Sequence, residues 1–228
     1  MNDIKQRLAK IKSQIRHAEI AVGRDKNSVR LLAVSKTKPA TDIAIAYQAG
    51  QRNFGESYLQ EALKKQQELA AFDISWHFIG PIQSNKTKLI AAHFSWVHSV
   101  DRLKIAKRLS EQRPLHLPAL NICLQVNIDR EPQKAGASPE EILQLATHCD
   151  GLDNIKLRGL MALPRMSSDP ATQHDSFRRV RILFEELKNA GHDIDTLSMG
   201  MSSDLEIAVS EGSTMVRIGT DLLGKRET

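Results

Sequence analysis

Cysteines and long apolar runs are scarce in this 228-residue chain, and their scarcity excludes several kinds of protein. The two cysteines, Cys123 and Cys149, lie in apolar or helical surroundings and indicate neither a disulfide framework nor a metal site, so free thiols in a reducing compartment are expected. No apolar run approaches the length of a membrane span, and the first residues lack the apolar core of a signal peptide. The sequence therefore predicts a cytoplasmic protein with neither a membrane partner nor a metal.

Aromatic residues are also few, at 4% of the chain, which leaves little for stacking on nucleic-acid bases. The net charge of +5 still raises a nucleic-acid hypothesis. The basic residues are spread along the chain, however, and the tightest cluster, at 178–181, falls within a helical pattern typical of a solvated face. A small anionic ligand explains local positive charge equally well. No nucleic-acid partner is predicted, although a scaffold that binds nucleic acid or protein stays open as an alternative.

Helix and strand patterns alternate along the chain, which is typical of an α/β protein. Ile4, Leu8, Ile11 and Ile15 repeat at helical spacing and predict an extra amphipathic helix at the start. Eight predicted strands follow, separated by helical patterns, at 31–36, 52–56, 76–80, 95–100, 119–128, 155–163, 195–199 and 214–218. This count and the chain length predict a single (β/α)8 TIM barrel over residues 1–228. A doubly wound open sheet is the rival architecture, but no glycine-rich fingerprint follows the first strand.

The first predicted strand leads into Lys36, the main candidate site residue. The strand is apolar on both faces, as in a buried parallel sheet, and Leu32, Val34 and Lys36 share one face. Lys36 is therefore expected at the carboxyl end of a strand, where α/β proteins hold their reactive groups. Partial desolvation there favours a neutral amine that can form a Schiff base with a carbonyl compound. A lysine that extends into solvent is the alternative, and this stretch alone favours it.

Two later strand ends have the features of a phosphate site. After the seventh strand, residues 198–203 turn at Gly200 into a predicted helix, for which Ser203 and Glu206 form a capping box. The free N–H groups at the start of that helix attract an anion. After the eighth strand, residues 217–220 combine an arginine, a glycine turn and a hydroxyl. Phosphate sites occur at these two strand ends in many barrels, although each turn is also compatible with an ordinary loop.

An amine, a phosphate site and an arginine between them are the groups that suit pyridoxal 5'-phosphate (PLP). Several stretches of the chain resemble the pyridoxal phosphate homeostasis protein family, whose members are also called proline synthetase co-transcribed homologues. These stretches follow one another along nearly the whole chain, at 32–39, 54–56, 76–80 with 83–86, 158–161, 198–204 and 216–220. The resemblance implies a barrel similar to the N-terminal domain of alanine racemase, with PLP held as a Schiff base on Lys36.

The resemblance also implies a set of cofactor contacts. The implied contacts are Asn53, His77, Met161 and Ser198 along the ring, Gly200, Met201, Ser202, Gly219 and Thr220 around the phosphate, and Arg217 at the pyridine nitrogen. A guanidinium cannot accept a proton, so the ring nitrogen would stay unprotonated and the cofactor would be a weaker electron sink. Core packing is the alternative explanation for the four residues along the ring.

The function that the resemblance implies is PLP (vitamin B6) homeostasis and amino and keto acid balance, without catalysis. Racemisation needs a base on each face of the substrate, and in alanine racemase the second base is a tyrosine from another domain of the partner subunit. No such domain is expected here, so a monomer is predicted, with PLP as ligand and PLP-dependent apoenzymes as candidate recipients. The alternative is a racemase-like enzyme that uses Tyr58 or His77 as its second base.

Overall fold

The computed structural model describes residues 2–225, within which eight parallel strands close into a barrel in sequence order. The strands are β1 Arg30–Val34, β2 Asn53–Glu56, β3 Ser75–Phe78, β4 Trp96–Val100, β5 Leu120–Val126, β6 Ile155–Ala162, β7 Thr196–Ser198 and β8 Met215–Ile218. Closure follows from the pairing of β1 with both β2 and β8. The predicted (β/α)8 barrel is confirmed, and the open sheet is excluded.

Helices follow the strands and form the outer layer. Within the described residues they are α1 Asn2–Ala21, α2 Ala40–Gln48, α3 Leu59–Glu68, α4 Thr87–His93, α5 Leu103–Gln112, α6 Pro139–Asp150, α7 Pro170–Asn189, α8 Leu205–Ser210 and α9 Thr220–Leu223, with a 3₁₀ turn at Ser84–Lys86. The additional helix α1 is confirmed: Ile4, Leu8, Ile11 and Ile15 are buried, and α1 packs against α8 and α9.

The sequence prediction of helix starts is right for α6 and wrong for α8. At α6, the Glu141 carboxylate accepts the Ser138 N–H at 2.8 Å, which completes the predicted capping box. The predicted Ser203–Glu206 box does not form, because α8 begins later, after Asp204. The Asp204 carboxylate accepts the Met201 N–H at 2.5 Å, which closes the turn before the helix.

Polar and aromatic side chains fill the inside of the barrel, while the main apolar core lies between the strands and the helices. At the amino-terminal end, the guanidinium groups of Arg30 and Arg158 lie over the Trp96 ring, at 5.2 and 4.8 Å from its centroid. Arg158 also donates to Asn121 at 2.8 Å. These contacts occupy the amino-terminal end of the barrel interior, whereas a cavity opens at the carboxyl-terminal end.

Gly159 sets the contact between β6 and β7. Its φ is +143°, and a Cβ atom at this position would lie 1.9 Å from the Thr196 carbonyl oxygen. We expect Gly159→Ala to lower the free energy of unfolding by about 3 kcal/mol, from backbone strain and overpacking together. Urea unfolding would measure this loss. Gly191→Ala is the control, because Gly191 has a φ of +96° with no heavy atom within 4 Å, so only strain applies. Equal losses in the two variants would contradict the prediction.

Candidate functional site

A cavity of about 390 Å³ opens at the carboxyl-terminal end of the barrel. Its walls come from the ends of β1, β2, β3, β6, β7 and β8 and the loops that follow them. Of the predicted cofactor contacts, the structure brings seven together here: Lys36, Met161, Met201, Ser202, Arg217, Gly219 and Thr220. Val34 lines the same cavity, and Leu32 lies deeper in the barrel beside Ile79, so Leu32, Val34 and Lys36 share one face of the first strand as predicted, and this face points inward.

Lys36 is half-buried at the end of β1, and its Nζ has no hydrogen-bond or ion-pair partner among residues 2–225. The backbone on both sides of it is fixed. The Ser35 hydroxyl donates to Glu56 at 2.6 Å, and the Thr37 N–H donates to Glu61 at 2.6 Å. Thr37 has a φ of +64°, a conformation that a β-branched residue rarely adopts without such support. The chain thus holds the lysine backbone in place and leaves its amine free toward the cavity.

A buried ion pair lies directly behind Lys36. Lys65 Nζ donates to the Ser35 carbonyl at 2.7 Å, to Glu56 at 2.8 Å and to Glu61 at 2.5 Å. Burial raises the pKa of Glu56, while the nearby Lys65 ammonium acts in the opposite direction. Sequence reasoning missed this pair. The available signal was the position of Lys65 on the buried stripe of α3, three residues after Ala62.

Hydrogen-bond donors without acceptors surround the opposite side of the cavity. The backbone N–H groups of Ser202, Ser203, Gly219 and Thr220, and the three hydroxyls of these residues, have no acceptor within residues 2–225. Ser202, Ser203 and Thr220 are exposed and Gly219 is half-buried, so these donors are open to solvent or to a ligand, and neighbouring backbone N–H groups of this kind suit an anion. Gly200 is not part of the lining. Its φ is +94°, and a Cβ atom there would lie 2.5 Å from Ala208 of α8, so the glycine is needed for helix packing.

Arg217 is buried beside these donors. Its Nη1 donates to the Ser198 carbonyl at 2.5 Å and to the Ser198 hydroxyl at 2.9 Å, and its Nη2 donates to the Ala162 carbonyl at 2.8 Å. Burial lowers the pKa of Arg217 to about 10, which leaves the group cationic at neutral pH. The guanidinium forms no ion pair with a carboxylate in the described part of the chain, so its charge adds to the attraction of the cavity for an anion.

Asn53, His77 and Ser198 lie inside the barrel and do not line the cavity. His77 contacts Asn53 at 3.1 Å and His98 at 2.9 Å, and His98 contacts Ser198 at 3.0 Å. The three residues lie below the cavity, and their contact with a cofactor ring therefore stays a prediction. His98 was missed in the sequence, although its place on the same face of β4 as Trp96 was the available signal. Tyr58 is 52% exposed and also lies outside the lining.

Neither cysteine belongs to the site. Cys123 and Cys149 are buried free thiols, and burial raises the pKa of each to about 12. Residues 2–225 contain no group of three or more histidine, cysteine or acidic side chains placed to hold a metal ion. Over the same residues, every helix is too short or too polar to cross a membrane.

Comparison with known proteins places the chain in a family. The family model for the alanine racemase N-terminal domain matches residues 6–227. A pyridoxal phosphate homeostasis protein of Pseudomonas aeruginosa is 58% identical over 227 residues, which cover all of this chain and 97% of that protein. The chain belongs to the pyridoxal phosphate homeostasis protein family. The resemblance read from the sequence motifs is thereby confirmed.

Solved structures share the same barrel. PipY of Synechococcus elongatus PCC7942 has been solved without PLP and with PLP bound, and the two structures match with TM-scores of 0.88 and 0.86 at 39% and 38% identity. Each match covers 97% of this chain and 100% of PipY. An alanine racemase of Clostridium difficile 630 matches with a TM-score of 0.80 at 13% identity, over 97% of this chain and 56% of the racemase, which shows a shared fold.

Proposed function

We propose that this chain is a cytoplasmic PLP carrier that holds the cofactor covalently on Lys36, keeps its level balanced with that of amino and keto acids, and turns over no substrate. The observation that carries the proposal is that an unpartnered amine and a group of unpartnered N–H and O–H donors line one cavity. The names of the relatives and the PLP bound to PipY support the same ligand. PLP-dependent apoenzymes are the proposed recipients, and a monomer of one domain is the proposed state.

The residues present fit the three reactive parts of PLP. The donors of Ser202, Ser203 and Thr220 suit a phosphate, and Arg217 offers a cation that cannot accept a proton from a ring nitrogen. When bound, PLP supplies an aldehyde carbon that condenses with the Lys36 amine, with loss of one water. Lys36 would bind the aldehyde, the donors of the two loops would orient the phosphate, and Arg217 would leave the ring nitrogen without a proton.

The absence of turnover is part of the proposal and is supported by the position of the candidate bases. Racemisation requires a second proton-transfer group opposite the lysine. Tyr58 and His77, the two groups named for that role from the sequence, do not line the cavity. Burial also lowers the pKa of His77 well below its ordinary value. Among residues 2–225 the cavity lining offers the Lys36 amine and neither a tyrosine nor a histidine, so the site suits storage of an aldehyde.

Borohydride reduction of the PLP-loaded protein tests the proposal. We expect a visible absorption band before reduction, a fixed adduct that peptide mapping assigns to Lys36, and no steady racemisation of common amino acids. Lys38 and Lys134 are the internal comparisons, because their amines already donate to carbonyl oxygens of Lys225 and of Leu163 and Pro164. An adduct on either of them, or turnover that Tyr58→Phe abolishes, would contradict the proposal.

A further inference from the structure

A continuous chain of hydrogen bonds runs through the inside of the barrel from Arg217 to Asn53. Arg217 Nη1 lies 2.9 Å from Ser198 Oγ, and Ser198 Oγ lies 3.0 Å from His98 Nδ1. His98 Nε2 lies 2.9 Å from His77 Nδ1, and His77 Nε2 lies 3.1 Å from Asn53 Oδ1. Ser198 and both imidazoles are fully buried, so water does not compete for these bonds.

Arg217 fixes the direction of every bond in this chain. A guanidinium only donates, so Ser198 Oγ accepts from Arg217. The only described acceptor left for the Ser198 hydroxyl hydrogen is His98 Nδ1. His98 must then carry its proton on Nε2 and donate it to His77 Nδ1. His77 in turn donates from Nε2, which lies 3.1 Å from Asn53 Oδ1 and 3.3 Å from the Ser75 hydroxyl oxygen. The reverse order would leave a buried hydroxyl hydrogen without an acceptor, at a cost of about 1–3 kcal/mol.

Both imidazoles are neutral in this arrangement. Burial lowers the pKa of His98 to about 3, and the cations Arg217 and Arg30 act in the same direction. Burial likewise lowers the pKa of His77 well below its ordinary value, with His98 and Arg30 adding to the effect. Each ring therefore has one donor and one acceptor at neutral pH, as a one-way chain requires.

We propose that His98, supported by His77 and Asn53, is a positioning residue that orients Arg217 through Ser198. By accepting the Ser198 hydroxyl hydrogen, His98 turns the serine lone pairs toward Arg217 and holds Nη1 against the barrel wall. The remaining guanidinium N–H groups then face the cavity. The structural part of this inference stands on the hydrogen bonds alone, whereas its effect on PLP rests on the proposed function. Asn53, His77 and Ser198 would accordingly act on the cofactor from below rather than by contact.

Histidine NMR on the protein without added PLP tests the direction of the chain. In uniformly 15N-labelled protein, we expect both His77 and His98 to show a protonated Nε2 and an unprotonated Nδ1, unchanged from pH 5 to pH 8. A proton on Nδ1 of either ring, or titration of either ring in this interval, would overturn the assignment. This measurement does not depend on cofactor binding, so it separates failure of the chain from failure of the proposed function.

A matched pair of variants tests the effect on Arg217. His98→Asn retains an acceptor near the Nδ1 position, whereas His98→Gln moves its amide toward the Nε2 position and leaves the Ser198 hydroxyl hydrogen unpaired. We expect His98→Gln to weaken PLP binding about tenfold and to shift the visible band, and His98→Asn to stay within about twofold of the parent protein. Equal effects of the two variants on a parent that binds PLP would overturn the positioning role. If either variant fails to fold, Ser198→Ala provides the same comparison against Ser213→Ala, whose hydroxyl bonds only to carbonyl oxygens.

Discussion

Lys36→Ala abolishes both the visible absorption band of the PLP-loaded protein and the borohydride-fixed adduct. The reason is chemical, because the amine is the nucleophile of the proposed site and an alanine methyl group cannot condense with an aldehyde. The loop donors around Ser202 and Thr220 remain in the variant, so weak, reversible binding of PLP should persist. Absorbance spectra and mass spectrometry of parent and variant after reduction would measure the loss.

Lys38→Ala is the matched control for Lys36→Ala. The two lysines lie two residues apart on the same turn, but the Lys38 amine donates to the Lys225 carbonyl at 2.5 Å and does not line the cavity. We expect this variant to keep the band and the adduct. An adduct that survives in Lys36→Ala and disappears in Lys38→Ala would move the attachment site and contradict the proposed function.

Lys65→Met lowers the free energy of unfolding by about 3–5 kcal/mol, the cost of leaving a buried carboxylate without its partner. Glu56 is fully buried, and Lys65 Nζ is the only cation paired with it among the described residues. The same ammonium group holds the Ser35 carbonyl, so the variant also loosens the backbone next to Lys36. Chemical denaturation would give the free energy, and the rate of adduct formation would report the local effect.

Two comparisons isolate the buried pair. Lys64→Met, at the preceding position of α3, removes a lysine whose side chain is 81% exposed and whose Nζ lies 3.9 Å from Glu68, and it should cost less than about 1 kcal/mol. Glu56→Gln combined with Lys65→Met removes both charges and should recover part of the stability lost in Lys65→Met. A loss in Lys65→Met as small as that in Lys64→Met would show that the pair contributes little.

The fold was predictable from the sequence because it depends on simple periodicities. Apolar runs separated by helical stripes give the strand count, and strand alternation places Leu32, Val34 and Lys36 on one face. The same reasoning brings Lys36 together with Ser202, Arg217 and Thr220, since the carboxyl ends of parallel strands meet at one end of a barrel. Strand ends are therefore the part of the site that a sequence reveals most directly.

Depth along the barrel was not predictable in the same way. Alternation says which residues of the third strand share a face with His77, but it does not say how far below the rim the imidazole lies, because strand tilt decides which residues share a layer. The start of α8 was missed for a different reason, since Asp204 takes the N-cap position that the spacing assigned to Ser203, and its carboxylate accepts the Met201 N–H in the turn before the helix. Lys65 was missed because a lysine on an amphipathic helix is normally solvated, and only the buried Glu56 explains its position.

The Trp96 ring and the two guanidinium groups over it limit how a ligand can enter and leave the barrel. Trp96, Arg30 and Arg158 occupy the lower end of the barrel interior, so we expect a molecule held in the cavity at the carboxyl-terminal end to leave by the opening through which it entered. The protein could then not take up one cofactor molecule while it releases another, because both events use the same opening. An enzyme that receives the cofactor would have to dock at the carboxyl-terminal end of the barrel, or else bind the cofactor after its release into solution.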